Sequence, residues 1–494
     1  MAQALAHAAT LRGAVVDNQS GRPLARSLVV IQPVAGTAGT VQSTRTNSYG
    51  AFEFQPLPAG GYLLSASRRG FAPVKYGQNR WKGSGIPVVL ADTTVAILSI
   101  RLPRFGSISG TVSDETDVGM PGIPVAIYRN TRPPVLVTKA ETDDRGAYRA
   151  GGLEPGSYLV RTLAAQDMDA SWVPTFSPEN TRIDGARPAE VTLDRETTLI
   201  NLRPIPGRLY TVSGRVVNAQ RTGVTLMLTS DMGTEIATAD SAGNFLFKPA
   251  APGPYELAAL TAEDRRAGIR AAWMPVQVDR DNDYRVTLGP LTEVRFEVED
   301  SKAQAIHLAT VTILARRKDL TGESRPVTLR LNEGRVPMAP GRWQLLLVAG
   351  PDQYVAGFTG PSASTRANLR ADGWNEMVLG GAALEVVKFV LAPNPGAVHG
   401  TVSNEANSAA AGAPVFLEPF DPETGKRLLE VRMTRADVRG RYQFAGLAPG
   451  HYRVMSSYDL DTPDSAMMDA ADPKLVKVEE GRDVAADLPL YVAP

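Results

Sequence analysis

The 494-residue sequence predicts an all-β chain of five tandem Greek-key sandwiches. Three observations carry that expectation. A turn signature returns along the chain, a second signature follows it about ten residues later, and alternating apolar runs fill the space between with almost no helical periodicity.

The turn reads Thr46-Asn47-Ser48-Tyr49-Gly50-Ala51-Phe52, then Thr142-Asp143-Asp144-Arg145-Gly146-Ala147-Tyr148. It returns as Ala239-Asp240-Ser241-Ala242-Gly243-Asn244-Phe245 and as Ala436-Asp437-Val438-Arg439-Gly440-Arg441-Tyr442. An Asn or Asp side chain can accept hydrogen bonds from the backbone just ahead of it. The Gly supplies the positive φ of a tight hairpin, and the aromatic starts the next strand.

The second signature is Gly60-Gly61-Tyr62, Pro155-Gly156-Ser157-Tyr158, Pro252-Gly253-Pro254-Tyr255, Pro340-Gly341-Arg342-Trp343 and Pro449-Gly450-His451-Tyr452. Its aromatics stand 96, 97, 88 and 109 residues apart, which sets five units. The fourth is degenerate, with Leu331-Asn332-Glu333-Gly334-Arg335-Val336 at its turn.

Each unit opens on an alternating strand: Leu11-Arg12-Gly13-Ala14-Val15, Ile108-Ser109-Gly110-Thr111-Val112, Val212-Ser213-Gly214-Arg215-Val216, Val294-Arg295-Phe296-Glu297-Val298 and Val398-His399-Gly400-Thr401-Val402. Period-two alternation means one buried face and one wet face. A Pro-led strand follows in the first, second and fifth units, from Pro23, Pro124 and Pro414. Short strands punctuated by turns at this density read as an immunoglobulin-like sandwich. The one stretch expected to form a helical turn is 465–471.

The expected organisation is a tail at 1–10 and sandwiches at 11–104, 105–206, 207–290, 291–394 (degenerate) and 395–494. Joints such as Pro204-Ile205-Pro206-Gly207 and Pro393-Asn394-Pro395-Gly396 are short and Pro-Gly-rich, which restricts hinge freedom. An elongated, semi-rigid array is therefore expected.

Composition narrows function. Lys plus Arg and Asp plus Glu are each 52, so the net charge is zero and the total shows no footprint for nucleic acid. There is no cysteine, which removes disulfides, thiolate metal sites and cysteine nucleophiles. No apolar run is long enough to span a membrane as a helix. Ala6-His7-Ala8 resembles the end of a cleaved signal peptide, so an extracytoplasmic chain with its signal removed is expected.

No catalytic constellation is found. The four histidines, His7, His307, His399 and His451, start no zinc-peptidase motif, and there is no nucleophile elbow or phosphate loop. Asp279-Arg280-Asp281-Asn282-Asp283 begins like a calcium loop but lacks the Gly and the distal Glu. The expectation is a non-enzyme with no cofactor and no metal.

A longer loop follows the second signature in every unit: 71–85 with Tyr76 and Trp81, 167–182 with Trp172 and Phe176, and 262–275 with Trp273. The fourth, 351–364, carries Tyr354 and Phe358, and the fifth, 459–472, carries Met467 and Met468. Aromatics there can stack on sugars or fill a partner's pocket; equally, they can plug their own sandwich or a joint. Tyr76, Trp81, Trp172, Phe176 and Trp273 are the candidate contacts.

The ordered set of signatures resembles the carboxypeptidase regulatory-like domain, a relative of transthyretin-like and carbohydrate-binding-like sandwiches. The resemblance covers nearly the whole chain and is weakest in the fourth unit. It implies a prealbumin-like fold and an extracytoplasmic setting, not peptidase activity. The opening strands carry no lysine, so Lys–Asn isopeptide cross-links are not expected. The functional expectation is a scaffold or adhesion protein whose partner is a polysaccharide or a cell-surface protein. The alternatives are a carbohydrate-binding array using the loop aromatics and a fibre subunit that self-associates through edge strands.

Overall fold

The computed structural model describes residues 8–493, except 167–170, 218–222, 262–269, 320–321, 324–325, 339, 362–370 and 381–383. The start of the loops at 167–182 and 262–275, the end of that at 351–364, and most of the N-terminal tail therefore lie outside the described residues.

The chain folds as sandwiches in tandem, each with the same two-sheet scheme. In the first sheet the opening strand lies centrally. It pairs antiparallel with the strand after the Asx–Gly turn and parallel with the strand that closes the unit. For the first unit these are Ala9–Asp17, Ala51–Leu57 and Val95–Leu102. The second sheet orders the third, second and fifth strands side by side, as in Gln42–Arg45, Leu28–Pro33 and Gly60–Ser67. Five separate apolar cores, one per unit, lie between the sheets.

The signatures explain this geometry. Asn47 Oδ1 accepts from the backbone N–H groups of Tyr49 and Ala51, both at 2.9 Å. Asp143, Asp240 and Asp437 do the same in their units. The Gly of each of these turns has a left-handed φ between 70° and 87°. The second signature has a further purpose: its tyrosine donates to the carbonyl four residues back. Tyr62 reaches Pro58 O at 2.7 Å, Tyr158 reaches Glu154 O at 2.7 Å, Tyr255 reaches Ala251 O at 2.9 Å and Tyr452 reaches Ala448 O at 2.7 Å.

The opening-strand glycine has an equally local cause. A Cβ on Gly13, Gly110, Gly214 or Gly400 would lie 2.0–2.2 Å from a carbonyl oxygen of the closing segment. Glycine thus lets the parallel closing segment come close. The fourth unit has buried Phe296 there, and its first sheet keeps the scheme with one strand more. Its closing strand Leu384–Pro393 gains another neighbour, Gln353–Thr359, formed by the long loop itself. The expected helical turn is a short helix, Ser465–Ala470, capped by Asp464, whose carboxylate accepts from Met467 N at 2.8 Å.

The row does not run straight. The first and fifth sandwiches touch: Val438 N donates to Ala35 O at 3.0 Å and Ser84 N to Tyr458 O at 2.7 Å. The reason the sequence did not reveal this is physical, because short Pro-Gly joints fix an angle as readily as they fix a straight line. The chain is nevertheless no ball. It exposes 26603 Å², about 1.5 times the ~18,000 Å² expected of a single globule of its mass. Closure of an open row of domains accounts for both facts.

Candidate interaction surfaces

The loop aromatics occupy three kinds of place. Trp172 and Phe176 are buried, at 8% and 1% exposure. Trp172 belongs to the second core, and its indole N–H donates to Leu163 O at 2.9 Å. Phe176 joins Leu159 and Ile183 in a small extra core on the outer side of the second sheet. Tyr76 is half-buried against the first core. Trp81 and Trp273 lie half-buried at joints. Trp81 meets Phe105 edge to face at 6.4 Å, and Trp273 lies under the Arg317 guanidinium at 4.4 Å. The five rings therefore share no common face. In the fourth unit Phe358 packs on Phe389 at 5.1 Å. In the fifth, Met468 is fully buried while Met467 is exposed.

The joints are polar as well as apolar. Between the first and second sandwiches, Asp194 accepts from Arg104 N at 2.7 Å and from Asn18 Nδ2 at 2.8 Å. Arg104 also pairs with Asp17 at 2.9 Å, and Lys82 with Glu154 at 3.1 Å. Backbone donors, Ser20 N first, together with Arg104, hold the Asp17 carboxyl below its usual range. Between the second and third, Arg161 stacks on Phe176 at 5.0 Å, with Tyr255 and Asp231 of the third sandwich nearby. Burial lowers the pKa of that guanidinium.

Apart from Val438, which belongs to the turn signature of the fifth unit, the contact that closes the row involves residues that no sequence motif singles out. Asn79 Nδ2 donates to Asp459 Oδ1 at 3.2 Å, and Arg435 Nη2 to Ser84 Oγ at 3.4 Å. Ser84 and Asp459 are buried, at 1% and 6%. Tyr458 donates to Ala411 O at 2.5 Å, and burial pushes its hydroxyl up to about 12. Val34 packs beside Gly412, and Val438 beside Gly36. Except for Asn79, Ser84 and Asp459, these residues lie outside the long loops. The chain separation of the partners, 380 residues for Asn79 and Asp459, removes any local signal.

The fifth sandwich holds a buried ionic cluster that sequence reasoning also missed. Glu418 is fully buried and pairs with both Arg453 and Arg427. Arg453 reaches Asp469 on the short helix and stacks on Phe420 at 4.3 Å. The cluster ties the helix onto the outer sheet face beside Met468, Leu460 and Met455.

Among the described residues, no three His, Cys, Asp or Glu side chains come together to hold an ion. Asp281, in the calcium-like run, accepts from Thr211 N at 2.7 Å and pairs with Arg208. No helix among the described residues is long and apolar enough to cross a membrane.

Fold and surfaces together define a tandem β-sandwich protein. Residues 10–102 match the family model of the carboxypeptidase regulatory-like domain, so the resemblance carried by the repeat is found in the first sandwich. No curated protein matches the chain. Solved structures that align with it include the minor pilin GBS52 of Streptococcus agalactiae, at 15% identity and TM-score 0.27, covering 40% of this chain and 96% of that one. The shaft pilin SpaA of Lactobacillus rhamnosus GG aligns at 13% identity and TM-score 0.23, covering 41% and 98%. The Bacillus anthracis TIE protein aligns at 11% identity and TM-score 0.16, covering 94% and 68%.

Proposed function

We propose that the chain is a non-catalytic extracytoplasmic scaffold or adhesion protein, in which sandwiches act as spacers and their long loops act as joints. The observation that carries this reading is the placement of the loop aromatics in cores and at joints, together with polar clamps such as Arg104–Asp194. The extracytoplasmic setting rests on the regulatory-like character of the first sandwich. The test is particle shape by electron microscopy for the full chain and for a Trp81→Ala, Trp273→Ala double variant. The scaffold reading expects the double variant to broaden the distribution of shapes while neither protein binds neutral glycans. Glycan binding that the double variant loses, with shape unchanged, would instead support a carbohydrate-binding array.

A second reading, a fibre subunit, is favoured by one edge strand. Val135–Glu141 lies at the margin of its sheet with Val135, Leu136 and Val137 exposed at 51%, 45% and 45%. Unpaired edges of this composition template pairing with another chain. Filaments that grow with concentration and vanish in Leu136→Lys would support it; none at any concentration would count against it.

A further inference from the structure

The zero net charge of the chain conceals a strong segregation. Residues 10–102 hold ten arginines and lysines and only three carboxylates, Asp17, Glu53 and Asp92. The first sandwich is therefore positive by seven, and the rest of the chain is negative by the same amount.

The fold gathers part of that charge in one place. Arg45, Leu28 and Ser67 stand in register across three strands of the second sheet. Their neighbours Val29 and Ala66 are buried, so this row faces outward. Arg26 and Arg69 stand just beyond the ends of these strands, in turns, and both are exposed. The next row on the same face is Ser43, Val30, Ser65 and Lys75. Arg26, Arg45, Arg68 and Arg69 surround a cleft of about 530 Å³, completed by Ala25, Leu28 and Ser67. No carboxylate lines it. Among the described residues these four guanidinium groups make no ion pair; Arg45 donates to Arg26 O at 3.3 Å, and Arg68 leans over Phe71 at 5.9 Å.

Four like charges kept together without counter-charge repel one another, a cost that an anionic ligand would relieve. Guanidinium forks bind carboxylates in a bidentate manner. The rest of the face is hydroxyl-rich, with Ser43, Ser65 and Ser67. It lacks an aromatic ring on which a nucleobase would stack. A ligand both anionic and rich in hydroxyls matches this surface better than a peptide or a nucleic acid does.

We propose that the arginine cleft of the first sandwich binds an acidic polysaccharide, with the sugar carboxylates seated on Arg26, Arg45, Arg68 and Arg69. This goes beyond the scaffold reading and does not depend on it, and it uses none of the loop aromatics. The test is affinity electrophoresis of the full chain in gels containing polygalacturonate, with dextran, polyglutamate and single-stranded DNA gels alongside. Polygalacturonate should retard the chain, dextran should not, and an Arg45→Gln, Arg69→Gln variant should bind about tenfold more weakly, equivalent to about 1.4 kcal/mol. An Arg285→Gln, Arg295→Gln variant, with the same change of charge on other sandwiches, should bind as the parent does. Circular dichroism of each variant checks that the fold is kept. The proposal is overturned if polygalacturonate causes no retardation or if the two double variants lose binding equally. It is also overturned if polyglutamate or DNA binds as tightly as polygalacturonate.

Discussion

The contact between the first and fifth sandwiches can be tested by a covalent bond, because the chain has no cysteine of its own. A Cβ placed on Gly412 lies 3.6 Å from Val34 Cβ. That is within the roughly 3.5–4.5 Å range of disulfides. In a Val34→Cys, Gly412→Cys variant the first replacement also removes the Val34 methyl that crowds this position at 2.9 Å. Residue 412 has φ +67°, so a side chain there costs about 1–2 kcal/mol. The bond would close a loop of roughly 380 residues, which on the chain-entropy account removes about 6 kcal/mol of freedom from the unfolded chain. Because the folded chain already holds the two positions at bonding distance, with Pro87 Cγ at 3.0 Å needing only to give by a few tenths of an ångström, the cross-link should form and stabilise the fold. The assay is mild oxidation of dilute protein, a non-reducing gel and thiol titration. The expected product is a faster-migrating monomer with no free thiol. Two free thiols per chain, or cross-linked dimers alone, would refute a closed row.

Other consequences are local. Gly110→Ala puts a methyl 2.1 Å from Ile200 O and should destabilise the second sandwich by about 3 kcal/mol, read as faster hydrogen exchange over 106–111 with the other sandwiches unaffected. Glu418→Ala leaves the buried Arg453 guanidinium with the exposed Asp469 in place of its buried partner and should cost about 3 kcal/mol, with proteolytic cutting near the 465–470 helix as the sensitive readout. The Asp240 carboxyl is held below 3.8 by hydrogen bonds, the largest from Asn244 N. A depressed folded pKa contributes stability that is present above the unfolded value and lost as pH falls through the folded one. Thermal stability of the third sandwich should therefore decline below about pH 3.8, and Asp240→Asn, which keeps an accepting oxygen as Asn47 does, should flatten that decline.

What was legible in the sequence was what is local. Asn47 and Gly50, or Asp143 and Gly146, act within five residues, so their turn can be read directly. Tyr62 reaches back only four residues. The helix at 465–470 stood out as the one stretch expected to form a helical turn, while its Asp464 cap came only with the structure. Loop aromatics marked the right segments but not their surroundings, since the ring of Trp172 looks the same in a core as on a surface. Contacts such as Asn79–Asp459 depend on the angles of four joints and leave no mark on either segment. The charge of the first sandwich was legible in principle, but it vanishes when summed over the whole chain.

The parallel pairing of opening and closing strands has a mechanical consequence. The chain enters a sandwich at one end of this pair and leaves it at the other, so tension along the chain pulls the two strands past each other. The ladder is then loaded in shear, and its hydrogen bonds must yield together rather than one after another. The first and fourth sandwiches each oppose that load with eight paired positions, Thr10–Asp17 against Val95–Leu102 and Glu293–Asp300 against Leu384–Leu391. In the second the ladder is interrupted: Ser107 and Ile108 pair with Glu196 and Thr197, Val112 bridges to Leu202, and single hydrogen bonds such as Ile200 N to Ser109 O and Leu202 N to Thr111 O lie between. A stretched chain would first part the contact between the first and fifth sandwiches, and the interrupted ladder of the second would then yield before the unbroken ones of the first and fourth.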